Sequence, residues 1–188
     1  MDTAHQHPFD PALKPIEGRD VAASGGPHPI AIIGGRAGDE ICFATVAWNM
    51  PASHKPPMIA FALRAKSRTF QLVEQSQAFT ISTPDAALAD AVNECGNKTG
   101  NMTDKSALVE WSLLPDAGNG DATALPALAG ALTVLECRVT GIQPAGDHML
   151  IVGEVKRAWS RAGFDDRGRI DATDALLCVQ HDLFATVR

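Results

Sequence analysis

Apolar residues along this chain recur mostly with a period of two. In ALTVLECRVTGI (131–142), Leu132, Val134, Glu136 and Arg138 alternate with Thr133, Leu135, Cys137 and Val139, the pattern of a strand with two different faces. QPAGD (143–147) reads as a turn, and HMLIVGEVKRAW (148–159) as the return strand of a long hairpin. PIAIIGG (29–35) and EICFATVAWN (40–49) predict a second hairpin around the turn RAGD (36–39). PMIAFAL (57–63) and AFTIST (78–83) predict further strands. The prolines of PASHKPP (51–57) lack an amide donor, so that segment cannot continue a central strand.

The period lengthens twice. Phe70 and Val73 stand three apart in SRTFQLVEQS (67–76), with Ser67 as a candidate N-cap, which predicts a short helix. A second helix is predicted with Thr83 as cap, Pro84 at its first position, Leu88, Val92 and Cys95 at helical spacing, and Gly96 as its end. SALVEWSLL (106–114) suggests a turn and a strand. NKTGNMTDK (97–105) and PDAGNGDAT (115–123) read as loops. The tail holds a Gly/Asp-rich turn (163–168) and the apolar run LLCVQ (176–180). Six or seven strands follow one another in hairpins, without a regular strand–helix alternation. That disfavours a doubly wound parallel sheet and predicts a mostly antiparallel β barrel with short helices at one end.

Composition narrows the picture. A chain of 188 residues, 45% hydrophobic and 20% charged, is the size of one domain with a real core. Residues 1–28, rich in His, Pro, Gly and Asp, read as an N-terminal arm before a domain at 29–188. A net charge of −6 argues against non-specific nucleic-acid binding. No apolar run approaches a membrane span, and MDTAHQHPFDPALKP lacks the apolar stretch of a secretory signal; the expectation is a cytoplasmic protein. Cys42, Cys95, Cys137 and Cys178 are too widely spaced for a zinc knuckle and read as reduced, buried thiols, so no metal is expected. With no tyrosine, an aromatic platform must come from Trp48, Trp111, Trp159 or the seven phenylalanines.

Three segments carry candidate chemistry. GGRAG (34–38) is not one of them, because it lacks the GxGxxG spacing. In ATVAWNMPASHKPPMIAFAL (44–63), the small Ala44 and Ala47 leave room for a flat ligand, or simply for a packed neighbour; Ser53, His54 and Lys55 follow in a polar loop. KSRTF (66–70) combines a helix start with Lys66, Ser67, Arg68 and Thr69, which suits an anion and equally suits a capped helix with solvated charges. GDH (146–148) is a turn histidine, or a proton-handling group at the mouth of a cleft.

Taken in order, these segments resemble the flavin reductase-like family, the FMN-binding split-barrel proteins that include flavoredoxin. The matching pieces are ATVAW–N–x–PAS–x–KPPMIAFAL, SRTFQLVEQSQAFTIST, NECGNKTG with DK (104–105), LTVLECRV and GDHMLIVGEV. The resemblance implies an FMN-binding split β-barrel with two or three short helices, working as a homodimer. It implies FMN as cofactor, with FAD possible, and NAD(P)H as hydride donor. Thr45, Val46, Ala47 and Trp48 would line the isoalloxazine, with Ser53, Lys55 and Pro57 bordering the ring or ribityl chain. Ser67, Arg68 and Thr69 would hold the phosphate; Asn97, Lys98, Thr99 and Gly100 would approach from a second loop, of the same subunit or of its partner. His148 would act on the nicotinamide side. The implied activity is flavin reduction, supplying a monooxygenase or another redox partner. A flavoredoxin-like carrier with tightly bound FMN and no nicotinamide step is the alternative, and a barrel holding haem or another flat ligand a further one.

Overall fold

The computed structural model describes residues 12, 14–115, 124–161, 163, 174–180 and 183–186. Its centre is a seven-stranded antiparallel sheet. The strands, in chain order, are β2 (Ala31–Ala37), β3 (Glu40–Val46), β4 (Asn49–His54), β5 (Pro57–Arg64), β6 (Ala78–Thr83), β9 (Thr133–Ala145) and β10 (His148–Ser160). Their spatial order is β3-β2-β6-β9-β10-β5-β4. The two outermost strands, β3 and β4, are consecutive in the chain, with only Ala47 and Trp48 between them. A sheet whose opposite edges are joined by two residues must curl round on itself. It forms a barrel whose strands meet at a covalent crossing, with a split where β3 has, among the described residues, no strand on its outer side.

The barrel interior is filled by Ile33, Val46, Phe61, Phe79 and Ile151 among others. Phe61 and Phe79 meet edge to face, 4.8 Å between centroids. Helix α2 (Arg68–Ser76) adds Phe70 and Val73 to this core, so the period-three pair marks the buried stripe of a real helix. A second cluster lies on the other side of β2 and β3. There Ile32, Phe43 and Leu128 pack with Val92 and Cys95 of helix α3 (Ala89–Asn97). Ahead of β2 in the chain stand the short helix α1 (Arg19–Ala23) and strand β1 (His28–Pro29), and between β6 and β9 the paired strands β7 (Trp111–Leu113) and β8 (Pro126–Leu128). β1 joins β11 (Leu176–Gln180) and β12 (Leu183–Thr186) in a small sheet. No helix among the described residues is long and apolar enough to cross a membrane.

The structure departs from the sequence reading at four places. Turn RAGD shrinks to Gly38–Asp39, because Arg36 and Ala37 pair with Ile41 and Glu40; Gly38 supplies the positive φ of 60°. Strand β9 runs on through Gln143, Pro144 and Ala145, leaving only Gly146–Asp147 as the turn. Beyond Arg138, β9 pairs with β10 alone, and a proline is tolerated on such an unshared edge. Thr83 belongs to β6, where its hydroxyl accepts a hydrogen bond from Thr133; the helical region starts later, with Asp85 accepting from the Ala87 amide. Helix α3 runs past Gly96 to Asn97. PASHKPP lies mostly in β4, an edge strand, as its prolines require. Loop residues 116–123 and most of the turn at 163–168 lie outside the described residues.

Candidate functional site

The split in the barrel opens into a cleft of about 720 Å³. One wall is the run Ala44, Thr45, Val46, Ala47 and Trp48. Successive residues of a strand point to opposite faces, so five in a row can line one cleft only if it meets the strand edge-on. β3 pairs with β2 on one side and, among the described residues, with no strand on the other. The Val46 carbonyl of this wall accepts from Asn49 Nδ2 at 3.3 Å and the Trp48 carbonyl from the Ala62 amide at 3.0 Å; an edge strand leaves further backbone groups without a ladder partner, a match for the polar rim of a flat heterocycle. The Thr45 hydroxyl is already used, donating to the Val92 carbonyl of α3 at 2.7 Å.

Opposite stand Ala62, Leu63 and Arg64 of β5 and His148 of β10. His148 pairs with Arg64 in the β5–β10 register, which brings the tip of the long hairpin to the cleft mouth. The His148 ring lies 4.9 Å from that of Trp48, tilted by 50°. Its Nδ1 is 2.7 Å from a carboxylate oxygen of Asp147, which leaves Nε2 for a ligand. That hydrogen bond holds the Asp147 carboxyl below its ordinary value. Trp48 is 45% exposed, a large apolar ring left partly open to solvent.

The floor comes from the end of α3 and the loop behind it: Gly96, Asn97, Lys98, Thr99, Gly100 and Asn101. The Asn101 side-chain amide donates to the Lys66 carbonyl, tying this loop to the start of α2. Gly100 is in the narrowest place. A Cβ there would lie 2.6 Å from Cys42 Sγ and 3.1 Å from Arg68 Cβ, so only glycine lets β3, α2 and the loop converge. No Asp or Glu is among the described residues lining the cleft, whereas Arg64, Lys66, Lys98 and Lys105 are. On a chain of net charge −6, that is a locally positive site.

Of the residues expected from the sequence, His148, Thr45, Val46, Ala47, Trp48, Ser67, Asn97, Lys98, Thr99 and Gly100 converge here. Five do not. Ser53, Lys55 and Pro57 belong to the β4–β5 hairpin and its turn and do not line the cleft. Thr69 is 1% exposed, its hydroxyl turned inward to the Cys42 sulfur at 3.3 Å. Arg68 makes a two-pronged ion pair with Glu40 and also donates to Gln71. It lines a separate, more polar cleft of about 510 Å³, together with Asp39, Asp104 and Trp111. The pair depresses the Glu40 carboxyl and raises the Arg68 guanidinium. Sequence spacing had placed the first turn of α2 correctly but could not show that its arginine already has a carboxylate. Lys105 and Arg64 were missed as site residues. Nothing in the local pattern of NKTGNMTDKS reveals that Lys105 folds inward.

The four cysteines are free thiols and all buried. Burial pushes Cys137 up to about 12 and raises Cys95 and Cys178. Only Cys95 touches the cleft.

The model of the flavin reductase like domain matches residues 23–181. Among curated proteins, the chain is 28% identical over 127 residues to the reductase component of 4-hydroxyphenylacetate 3-monooxygenase from Thermus thermophilus, covering 68% of this chain and 73% of that one. Other curated relatives are longer, and the matched part spans 42% of one and 50% of another. Among solved structures, an FMN-binding protein from Thermus thermophilus with bound 1-cyclohex-2-enone superposes with a TM-score of 0.79 and 26% identity, over 97% of this chain and 96% of that one. Flavoredoxin from Methanosarcina acetivorans shares the fold, with a TM-score of 0.74, 23% identity and 86% of each chain covered.

Proposed function

The chain belongs to the flavin reductase like domain family, and we propose that it is an FMN-binding oxidoreductase taking a hydride from NAD(P)H. The observation that carries this reading is the edge-on cleft. It joins bare strand edge, an apolar aromatic flank and a positive floor in one space of about 720 Å³, the three surfaces that a flavin mononucleotide presents.

When bound, the flavin supplies the electron-accepting ring, and the hydride chemistry belongs to it. The chain supplies position and access. Backbone groups of Thr45 to Ala47 hold the polar edge of the ring. Trp48 and Leu63 cover its apolar part. Lys66, Ser67 and the loop from Asn97 to Gly100 fix the charged tail. His148 stands at the open side, where its free Nε2 meets a nicotinamide carboxamide or phosphate and keeps the donor in line. FAD fits the same ring site, with its added nucleotide outside it.

Trp48 in the cleft wall is exposed, and so is Met50, two residues further along in β4. A second copy of the chain laid over these residues buries both and covers the ring, so the working form is a homodimer. The relative from Thermus thermophilus carries the name of a monooxygenase's reductase component. That supports a role supplying reduced flavin to an oxygenase or another acceptor.

The deciding experiment is anaerobic. Purified protein with FMN is mixed with NADH or NADPH and the flavin absorbance is followed. Bleaching on a turnover timescale supports the reductase. Tight FMN binding without bleaching by either nicotinamide replaces it with an electron carrier that receives electrons from a protein.

A further inference from the structure

Asp147 and His148 divide between solvent and cleft. The Asp147 side chain is 83% exposed and that of His148 17%, and the His148 ring lines the cleft. Their contact is a hydrogen bond of 2.7 Å between Asp147 Oδ1 and His148 Nδ1. An ionised carboxylate can only accept. The carboxyl of Asp147 is held below its ordinary value, first of all by this bond, so it is ionised at neutral pH and the shared proton sits on Nδ1. A neutral imidazole carries one N–H. With that proton on Nδ1, Nε2 is a bare lone pair, and it meets no donor among the described residues.

The ring is also held in place. Its backbone pairs with Arg64 of β5 on one side and with Ala145 of β9 on the other. Asp147 lies in the two-residue turn before it, where Gly146 takes a φ of 64°. The Trp48 ring stands 4.9 Å away. At this end of the cleft the neighbouring side chains offer a guest no second acceptor. The Trp48 indole and the Arg64 guanidinium only donate, and Ala62 and Leu63 are apolar. Arg64 is the cation whose charge reaches the pair, and it adds to the lowering of the Asp147 carboxyl.

We propose that Asp147 is a positioning residue that keeps His148 in the tautomer with a bare Nε2, and that the cleft mouth thereby selects its electron donor by an amide. The –NH2 of a nicotinamide carboxamide donates to Nε2. A carboxylate or a phosphate in the same place sets acceptor against acceptor. Recognition moves no proton: the amide hydrogens stay on the donor's nitrogen, and the Nδ1 proton stays on His148. Without the carboxylate the ring is free to carry its proton on Nε2 and to donate, which suits an acid as well as an amide. The selectivity therefore belongs to Asp147 and not to the histidine alone. A polar atom placed to meet a donor discriminates well, because the wrong guest leaves it unpaired or opposed.

This inference rests on the reading of the cleft as a flavin and nicotinamide site, and its test separates the two. Nitrogen-15 NMR of the FMN-loaded protein, at the pH of the assay, reads which ring nitrogen of His148 holds the proton. Anaerobic flavin reduction is then followed with reduced nicotinamide adenine dinucleotide and with its nicotinic acid analogue, on the wild type, Asp147→Ala and Asp147→Glu. The wild type holds the proton on Nδ1 and prefers the amide by roughly 10- to 100-fold in kcat/KM. Asp147→Ala shifts the proton to Nε2 and loses most of that preference, chiefly through KM, and Asp147→Glu keeps part of it. Comparing the two donors across variants cancels their different intrinsic reactivity, and an unchanged FMN affinity shows that each variant is folded. A wild-type proton on Nε2, or on both nitrogens, overturns the proposal. So does a preference that survives Asp147→Ala, or an equal fall for both donors, which is what a merely structural role gives. A wild type whose flavin neither NADH nor NADPH bleaches overturns the nicotinamide reading itself.

Discussion

The rings of Trp48 and His148 touch across the cleft mouth, 4.9 Å apart and tilted by 50°. One stands at the crossing between β3 and β4, the other at the tip of the β9–β10 hairpin. Each therefore restricts where the other can swing.

His148→Ala removes the polar half of this gate. Flavin affinity stays nearly constant, because the ring contacts from β3 remain. The Michaelis constant for NAD(P)H rises or hydride transfer slows, each tenfold change corresponding to about 1.4 kcal/mol. The check is the anaerobic rate of flavin reduction against nicotinamide concentration. Curves that overlap with the wild type's make His148 a bystander.

The Asp147–His148 contact has a pH signature. The Asp147 carboxyl lies below its ordinary 3.8 because it accepts a hydrogen bond from the histidine and sees its charge. A carboxyl depressed on folding stabilises the native state above its unfolded pKa, and that contribution is lost as pH falls through the folded one. Carbon-detected NMR of Asp147 shows a midpoint under 3.8 that rises toward the ordinary value in His148→Ala.

Gly100→Ala tests the convergence of three elements. The added methyl meets Cys42 Sγ at 2.6 Å and must displace β3, α2 or the loop. Overpacking of this kind costs about 1–3 kcal/mol. Adding Cys42→Ala relieves the closest contact, so the double variant melts above Gly100→Ala alone. Additive losses in urea denaturation argue that the contact is not what makes glycine necessary.

Gly153 offers a parallel test deep in the barrel. A Cβ there would stand 2.5 Å from two ring atoms of Phe79, at a point where β10 shifts register against β9. Gly153→Ala destabilises by about 1–3 kcal/mol without altering flavin affinity, since no cleft residue moves. Chemical denaturation and FMN titration on the same sample separate the two effects.

The thiols give a fourth kind of readout. All four are buried, and the Cys137 thiol at about 12 has a negligible thiolate fraction at neutral pH. Native protein resists a thiol-reactive dye, and denatured protein takes up four equivalents. Replacing Cys42, Cys95, Cys137 and Cys178 together by Ala or Ser lowers stability and leaves flavin reduction measurable. Loss of hydride transfer in a folded, FMN-binding variant gives a thiol a part in the reaction.

Much of the fold was legible because its signals are local. Alternation in β9 and β10, the prolines around β4 and the Phe70–Val73 spacing each follow from a few neighbouring residues. The cleft was legible as a set of segments, since Thr45 to Trp48, Asn97 to Gly100 and His148 do converge. What stayed hidden depends on contacts between distant parts of the chain. Arg68 looks free until Glu40 is placed beside it, and Thr69 looks like a ligand until its hydroxyl is seen turned toward Cys42. Lys105 reads as one more solvated charge in a polar loop, and only the folded loop shows it reaching the end of α3. Ser53 and Lys55 are close in sequence to Trp48, but an extended strand carries them away by about 3.3 Å per residue.

The passage from β3 to β4 through Ala47 and Trp48 acts as a gauge. Because these two residues link opposite margins of the sheet, the chain itself caps how far the split can widen. Each residue inserted at the crossing lengthens that tether by about 3.5 Å, and each deletion draws the margins together. Guest size in this architecture can thus be retuned by loop length alone, while every side chain that touches the guest keeps its identity.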